Sequence, residues 1–142
     1  SYRLPVEKKE EKNVNLNKVR RLSLKYADEF IAIHSLYEKD MYYTSQKILN
    51  SFSNWRIYGY FQNEKMVSVL YAYWNNRTML EIYGIEYKDK KYSKEMAKQL
   101  LNAIYQDADL PIFCMVEQEE QEAFEEFGFI QLDCYHCYKK IL

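Results

Sequence analysis

The sequence predicts a mixed α/β domain in which a single sheet carries helices on both of its faces. Residues 55–87 contain three successive runs rich in Tyr, Ile and Val, which is typical of an antiparallel meander. Residues 80–116 then read as strand, helix and strand, a pattern that requires a parallel pair joined by a right-handed crossover. A length of 142 residues, 48% hydrophobic and 29% charged, suits one domain with a buried core.

The first part of the chain predicts an arm, a strand and two helices. Residues 1–18 are polar and mixed in charge, so they are predicted to form a flexible arm or linker, and residues 19–142 the domain. Residues 19–24 alternate in hydrophobicity and predict a short strand. Two helices are predicted next: apolar residues recur at helical spacing within 26–40, and Thr44 is a suitable N-cap for the second.

The rest of the chain predicts the remainder of the sheet. The predicted elements are two strands around a four-residue loop at 62–65, a strand at 77–88, a helix at 93–106 with Ser93 as N-cap, a central strand at 110–116, an acidic helix at 119–129 closed by Gly128, and a final strand at 130–142. The predicted order is therefore β-α-α-β-β-β-α-β-α-β.

Composition excludes several functions. A formal net charge of −1 provides no general attraction to nucleic acid or anionic membranes, and no apolar run approaches the roughly 20 residues of a membrane span. The three glycines lie too far apart for a Gly-rich phosphate loop. Three cysteines, an odd number, do not fit a small disulfide scaffold and favour a reducing cytoplasm.

Two stretches, together with the element order, resemble the GNAT acyltransferase superfamily. "IYGIEYKDKKYSKEMAKQLLNAI" (82–104) looks like the family's central strand, pyrophosphate loop and following helix, and "AFEEFGF" (123–129) looks like its "YEKLGF" region. The element order matches over about residues 19–142. The resemblance implies an enzyme that transfers an acyl group, in the first place acetyl, from acetyl-coenzyme A to a primary amine by direct attack in a ternary complex.

The resemblance also implies a cofactor site between the central strand and the next parallel strand. Backbone groups of Ile85 and Tyr87 would pair with the pantetheine arm, and the pyrophosphate would lie on the turn and first helical amides of Tyr92, Ser93, Lys94, Glu95, Met96 and Ala97. The family loop has the form Arg/Gln-x-x-Gly-x-Gly/Ala. Tyr92 and Glu95 depart from it, and Ala97 matches it. The Glu95 charge would repel phosphate, whereas Lys88, Lys90, Lys91 and Lys94 would attract it, so weakened or lost binding is expected.

The catalytic positions implied by the resemblance also depart from the family. Phe124 stands where many members have a Tyr that protonates the leaving thiolate. Glu81 and Glu86 are the candidate bases, and strand alternation predicts that they lie on opposite faces of the sheet, with Glu81 on the face of Tyr83, Ile85 and Tyr87. Tyr42 and Tyr43 would line the acceptor pocket, or would cover the hydrophobic core with their rings.

Alternative functions remain open. The departures favour a non-catalytic GNAT-like domain that serves another domain or a partner, or a ligand sensor without turnover. The expected acceptor is a small-molecule or peptide amine. A partner domain or a second copy of the chain is also expected as a partner, and neither nucleic acid nor a membrane is expected. Cys134, His136 and Cys137 do not predict a metal site, because Cys137 would point to the other face of the strand.

Overall fold

The described part of the chain forms one mixed sheet with helices on both faces, as predicted. The computed structural model describes residues 18–75, 78–115, 121–126, 128, 130–131 and 137–140. The strands are β1 (Val19–Arg21), β2 (Trp55–Gln62), β3 (Lys65–Asn75), β4 (Met79–Tyr87), β5 (Ile112–Met115), β6 (Ile130–Gln131) and β7 (Cys137–Lys140). The α-helices are α1 (Ala27–His34), α2 (Ser45–Asn50), α3 (Lys94–Asp107) and α4 (Gln121–Glu126).

The sheet has the order β1-β2-β3-β4-β5-β7-β6. Strands β1 to β4 pair in antiparallel fashion, β4 pairs parallel with β5, and β7 is antiparallel to both β5 and β6. The parallel pair is joined through α3, which confirms the strand–helix–strand prediction, because a parallel pair needs such a crossover connection.

Two hydrophobic cores lie on opposite faces of the sheet. On one face, α3 packs Leu100 and Ile104 against the strand residues Leu80 and Ile112. On the other, Phe30 and Ile33 of α1 and Ile48 of α2 pack against Trp55 and Tyr71 of the sheet. The apolar spacing in each helix thus gives it one buried side, and β4 lies between the two layers.

Local sequence signals are confirmed at the helix starts and at the end of α4. The Thr44 hydroxyl accepts a hydrogen bond from the Lys47 amide at 3.3 Å, and the Ser93 hydroxyl accepts one from the Met96 amide at the same distance. Gly128 follows α4 with a φ of 101°, a conformation that glycine adopts without steric cost.

Three boundaries differ from the prediction. The β2–β3 loop has two residues, Asn63 and Glu64, both with positive φ, because Gln62 still pairs with Lys65. The early helices are shorter than their apolar repeats, with 3₁₀ turns at 24–26, 38–40 and 52–54 around them. The predicted last strand is two strands, β6 and β7, which pair with each other.

Some predictions fall outside the described residues. These are the arm at 1–17 and the pair Cys134 and His136. Among the described residues, no group of three His, Cys, Asp or Glu side chains is placed to hold a metal ion. Within the same residues, no helix combines the length and hydrophobicity needed to cross a membrane.

Candidate functional site

A divergence between β4 and β5 forms the centre of the candidate site. Their parallel pairing runs from Leu80 with Ile112 to Ile82 with Cys114, and β4 continues through residues 83–87 beyond it. The Lys88 amide donates to the Val67 carbonyl at 2.9 Å, so backbone groups at 84, 86 and 88 pair with β3. By alternation, the backbone groups of Ile85 and Tyr87 point away from β3, toward the β5 side.

A β-bulge at Tyr83 changes which side chains share a face of the sheet. Tyr71 lies opposite Gly84 and Ala72 opposite Ile82, so Tyr83 is an extra residue in β4. Ile82 before the bulge and Ile85 after it both face α3. The side chains of Glu81, Tyr83 and Glu86 lie on the other face, the one that carries α1 and α2. The predicted separation of Glu81 and Glu86 onto opposite faces is therefore wrong, because the extra residue reverses the alternation.

Gly84 sits under the Tyr71 ring at this bulge. A Cβ added to Gly84 would lie 2.8 Å from the Tyr71 hydroxyl oxygen and 2.9 Å from a ring carbon. Gly84→Ala is therefore expected to reduce the free energy of unfolding by about 1–3 kcal/mol, as overpacked cores do, measured by urea denaturation.

Gly59→Ala is the matched control for that substitution. Its added Cβ would meet the ends of Leu22, Phe61 and Met66 side chains at 3.0–3.3 Å, and the ends of Leu22 and Met66 can move. A Gly84→Ala protein no less stable than Gly59→Ala would contradict the close packing of Gly84 on Tyr71.

A buried polar network lies directly behind the bulge. His34 Nδ1 is 2.7 Å from Glu86 Oε1, and His34 Nε2 is 2.8 Å from the Tyr43 carbonyl oxygen. The Tyr71 hydroxyl donates to Glu86 Oε2 at 2.8 Å. The three residues of this network are each exposed by 2% or less, so α1, β3 and β4 are joined by hydrogen bonds that water does not reach.

Hydrogen-bond complementarity fixes the protons of this network. The Tyr43 carbonyl can only accept, so His34 Nε2 carries a proton, and a second proton lies between His34 Nδ1 and Glu86. Burial by itself would lower the pKa of His34, but the hydrogen bond and charge of Glu86 outweigh it, and the pKa is raised. Burial also raises the pKa of Glu86 against the opposing hydrogen bonds from His34 and Tyr71, so the pair retains its shared proton.

Aromatic side chains surround Glu81 on the same face. The ring of Tyr43 lies 5.0 Å from Trp55, 5.2 Å from Tyr83 and 6.1 Å from Tyr73 between centroids. Tyr83 is 40% exposed, and burial together with the neighbouring Glu81 charge raises the pKa of Tyr83 to about 12. The Tyr83 hydroxyl is therefore protonated at neutral pH beside the Glu81 carboxylate.

Tyr42 is the most open member of this aromatic group. Its side chain is 72% exposed and its ring contacts Tyr43 at 4.9 Å between centroids. The Lys47 ammonium lies 3.8 Å from the centroid of the Tyr42 ring, a cation–π geometry. This face of the molecule thus already holds one primary ammonium group on an aromatic ring.

The turn before α3 has the capped N-terminus that the sequence predicted. Glu95 is exposed, and its carboxylate accepts a hydrogen bond from Gln99 one helical turn later at 3.1 Å. Lys94 pairs with Glu126 of α4 at 2.6 Å, so its charge is directed to that helix. A pocket of about 320 Å³ adjoins the turn on its β3 side, lined by Gln62, Val67, Lys88, Asp89, Lys91, Tyr92, Ser93 and Met96.

Phe124 of α4 lies in the core on the α3 face. It is 1% exposed and belongs to the same cluster as Ile82, Leu100 and Cys114. The aromatic position of the "AFEEFGF" stretch therefore belongs to the core on the α3 face, opposite the face of Glu81 and Glu86.

Two features of the site were not found from the sequence. The first is the bond between His34 and Glu86, two residues that lie 52 positions apart in the sequence. The second is the Tyr37 hydroxyl, which both donates to the Tyr87 carbonyl at 2.8 Å and accepts from the Tyr87 amide at 3.0 Å. The spacing of residues in the sequence indicates neither of these two contacts.

Comparison with solved structures identifies the fold. The aminoglycoside 6'-N-acetyltransferase from Enterococcus faecium superposes with a TM-score of 0.63 at 8% identity, covering 85% of this chain and 92% of that one. A GNAT-family acetyltransferase from Streptococcus pneumoniae gives 0.63 at 18% identity, covering 87% and 98%. The PaiA N-acetyltransferase from Thermoplasma acidophilum, in complex with coenzyme A, gives 0.57 at 16% identity, covering 85% and 94%.

Sequence comparison adds nothing to this likeness. No protein-family model matches the chain, and no curated protein matches it. At such low identities the structural likeness concerns the fold, and the chain has the mixed α/β fold of the GNAT acetyltransferases, as its element order predicted.

Proposed function

We propose, from the premise of this fold, that the chain transfers an acyl group from acyl-coenzyme A to an amine. One observation carries the proposal: β4 continues beyond its short pairing with β5, and this part of β4 leads to the capped N-terminus of α3. In the PaiA structure a protein of this fold is bound to coenzyme A. Acetyl is the acyl group we favour, because the structurally similar proteins are acetyltransferases.

The residues present suit a cofactor that contains amides and phosphates. The Tyr37 hydroxyl donates to the Tyr87 carbonyl and accepts from the Tyr87 amide. A pantetheine amide also has one donor and one acceptor, so it could make the same two hydrogen bonds. Ile85 would supply the neighbouring backbone groups. The first turn of α3, from Ser93 to Ala97, would hold the pyrophosphate on amides and the helix dipole, with Tyr92 beside it.

Bound acyl-coenzyme A would supply a thioester carbonyl as the electrophile. Glu81 would take a proton from the acceptor ammonium, because it lies on the open aromatic face beside Tyr83. The amine nitrogen would then bond to the carbonyl carbon as the carbon–sulfur bond breaks, and the sulfur would leave as a thiolate that takes up the second proton of the amine nitrogen. Because the corresponding thiol has an ordinary pKa of about 8.5, the thiolate would leave without a strong acid, and Phe124 would need no hydroxyl.

The acceptor would be an amine-bearing small molecule or peptide. Tyr42, Tyr43 and Tyr83 present ring faces that attract ammonium groups, and Glu81 adds a negative charge. Two proteins with this fold are named as aminoglycoside acetyltransferases, which supports an amine acceptor without naming this one. The odd number of cysteines supports the cytoplasm as the place of the reaction.

Calorimetric titration of the chain with acetyl-coenzyme A tests the proposal. We expect saturable binding, and Glu95→Gln should tighten it about 2–5-fold, because one negative charge leaves the first turn of α3. Asp28→Asn is the matched control, since Asp28 is an exposed carboxylate in the first turn of α1, and it should leave the affinity unchanged. Absence of binding at millimolar cofactor, in both the unmodified chain and Glu95→Gln, would overturn the proposal.

A non-catalytic domain of the same fold is the second candidate. It is favoured by Phe124, which has no hydroxyl and is 1% exposed, and by the Tyr37 hydroxyl bound to the cofactor edge. Binding of acetyl-coenzyme A without acylation of any amine in a broad panel would favour this second candidate.

A further inference from the structure

The Tyr37 hydroxyl satisfies both backbone groups of Tyr87. It donates to the carbonyl oxygen at 2.8 Å and accepts from the amide nitrogen at 3.0 Å, across 50 residues of sequence. The Lys90 amide also donates to this carbonyl oxygen, at 2.9 Å. A side-chain hydroxyl that bonds to both groups of a single strand residue replaces the partner that a neighbouring strand would otherwise supply.

These two groups lie on the edge that the proposed cofactor would use. Lys88 and Glu86 pair with β3, so the backbone of Tyr87 points to the side where β5 has diverged. The pantetheine arm of acyl-coenzyme A contains amides that could pair there. The one amide hydrogen of Tyr87 serves one acceptor, and its carbonyl oxygen already accepts from both the Tyr37 hydroxyl and the Lys90 amide, so Tyr37 and the cofactor compete.

The segment around Tyr37 is tied to the acceptor face. The Tyr37 amide donates to the His34 carbonyl at 2.9 Å at the end of α1. Next to it, the Glu38 carboxylate accepts from the Ser45 amide and hydroxyl at 2.7 and 2.8 Å, at the start of α2. Tyr42 and Tyr43 lie between these two anchors, so displacement of Tyr37 would also shift the aromatic rings near Glu81.

We propose that Tyr37 is an internal ligand of the cofactor edge, and that its hydroxyl must leave Tyr87 before acyl-coenzyme A pairs there. This inference rests on the proposed function. Tyr37 would then limit cofactor affinity, and cofactor binding would be coupled to the acceptor face, since the segment from Tyr37 to Ser45 connects the two sites.

Tyr37→Phe is the variant that separates the hydroxyl from the ring. The ring would still fill its place, so we expect acetyl-coenzyme A to bind about tenfold more tightly, because the competing hydrogen bonds are gone. Tyr26→Phe is the matched control. The Tyr26 ring packs on Phe61 and lies near Arg20, away from β4, so this variant should bind acetyl-coenzyme A with the affinity of the unmodified chain.

A second measurement follows Tyr37 itself in the unmodified chain. Fluorotyrosine labelling, with the Tyr37 signal assigned by its loss in Tyr37→Phe, should show that resonance moving as acetyl-coenzyme A is added. Tighter binding by Tyr37→Phe together with this shift supports the inference. Binding that appears only in Tyr37→Phe would support the competition between the hydroxyl and the cofactor, but it would overturn the proposed function, since the unmodified chain would then bind no cofactor.

Other outcomes separate the two proposals. If acetyl-coenzyme A binds the unmodified chain and Tyr37→Phe equally, with no shift of the Tyr37 signal, the inference is overturned while the proposed function stands. If the cofactor binds neither protein at millimolar concentration, both are overturned. Weaker binding by Tyr37→Phe would show instead that the hydroxyl supports the bound cofactor, and would also overturn the inference.

Discussion

His34→Leu is expected to reduce the free energy of unfolding by about 3–5 kcal/mol at pH 7, because it leaves the Glu86 carboxylate buried with only the Tyr71 hydroxyl as partner. Glu86 is 2% exposed, so water cannot replace the lost imidazolium. Urea denaturation of the two proteins, compared at the same pH, gives the difference.

The pH dependence of this loss has a definite sign. In the unmodified chain the folded pKa of His34 is raised above 6.5, so the stability it contributes is fully present below about pH 6.5 and is lost as pH rises through the folded pKa. In His34→Leu the lone buried Glu86 has a raised pKa as well. The destabilisation caused by the buried Glu86 carboxylate in His34→Leu should therefore decrease as the pH falls toward 4.3, about the ordinary pKa of a glutamate carboxyl.

The double variant His34→Leu/Glu86→Leu is the control. It removes the buried charge together with its partner, so it should be more stable than His34→Leu alone, although the Tyr43 carbonyl and the Tyr71 hydroxyl each lose a partner. Equal stability of the single and double variants would mean that the carboxylate is not the source of the loss. A pH-independent difference between His34→Leu and the unmodified chain would lead to the same conclusion.

The features that the sequence predicted are those set by neighbouring residues. Thr44 and Ser93 were identifiable as N-caps because a cap acts on amides two or three residues away. The parallel pairing of Leu80 with Ile112 followed from a helix too long to be a turn between two apolar runs. The chain has no comparable local signal for the Asn63–Glu64 turn, since its second residue is not the usual glycine.

The arrangement of the site depends on a bulge that the alternation of residues along the strand does not predict. One extra residue at Tyr83 placed Glu81 and Glu86 on the same face, and alternation alone requires the opposite. A bulge is stabilised by what packs on it, in this case Tyr71 against Gly84, and those two residues meet only in the folded sheet. The Tyr37 hydroxyl likewise bonds to a backbone, which leaves no sequence pattern at its target.

Glu86 and Glu81 differ in what they could do once they share a face. Both carboxylate oxygens of Glu86 are hydrogen-bonded, one to His34 and one to Tyr71, and the residue is 2% exposed, so an acceptor amine cannot reach it. Glu81 is partly exposed beside Tyr83, on the face that carries the open aromatic rings. We therefore expect proton transfer to depend on Glu81, with Glu86 holding β4 in place.

Glu81→Gln should lower the rate of amine acylation by about 10²–10⁴-fold, the usual contribution of a positioned base, while leaving the affinity for acetyl-coenzyme A unchanged. Release of the coenzyme A thiol, followed with a panel of primary amines, measures the rate, and calorimetry measures the affinity.

Glu64→Gln is the matched control, because Glu64 is a carboxylate in the β2–β3 turn that pairs with Arg20, and it should retain full activity. Tyr83→Phe keeps the Glu81 carboxylate but removes its hydrogen-bond partner, so its rate should fall between the two. A Glu81→Gln protein that acylates amines as fast as Glu64→Gln would exclude Glu81 as the base, and an unmodified chain that binds cofactor but acylates no amine would favour the non-catalytic candidate.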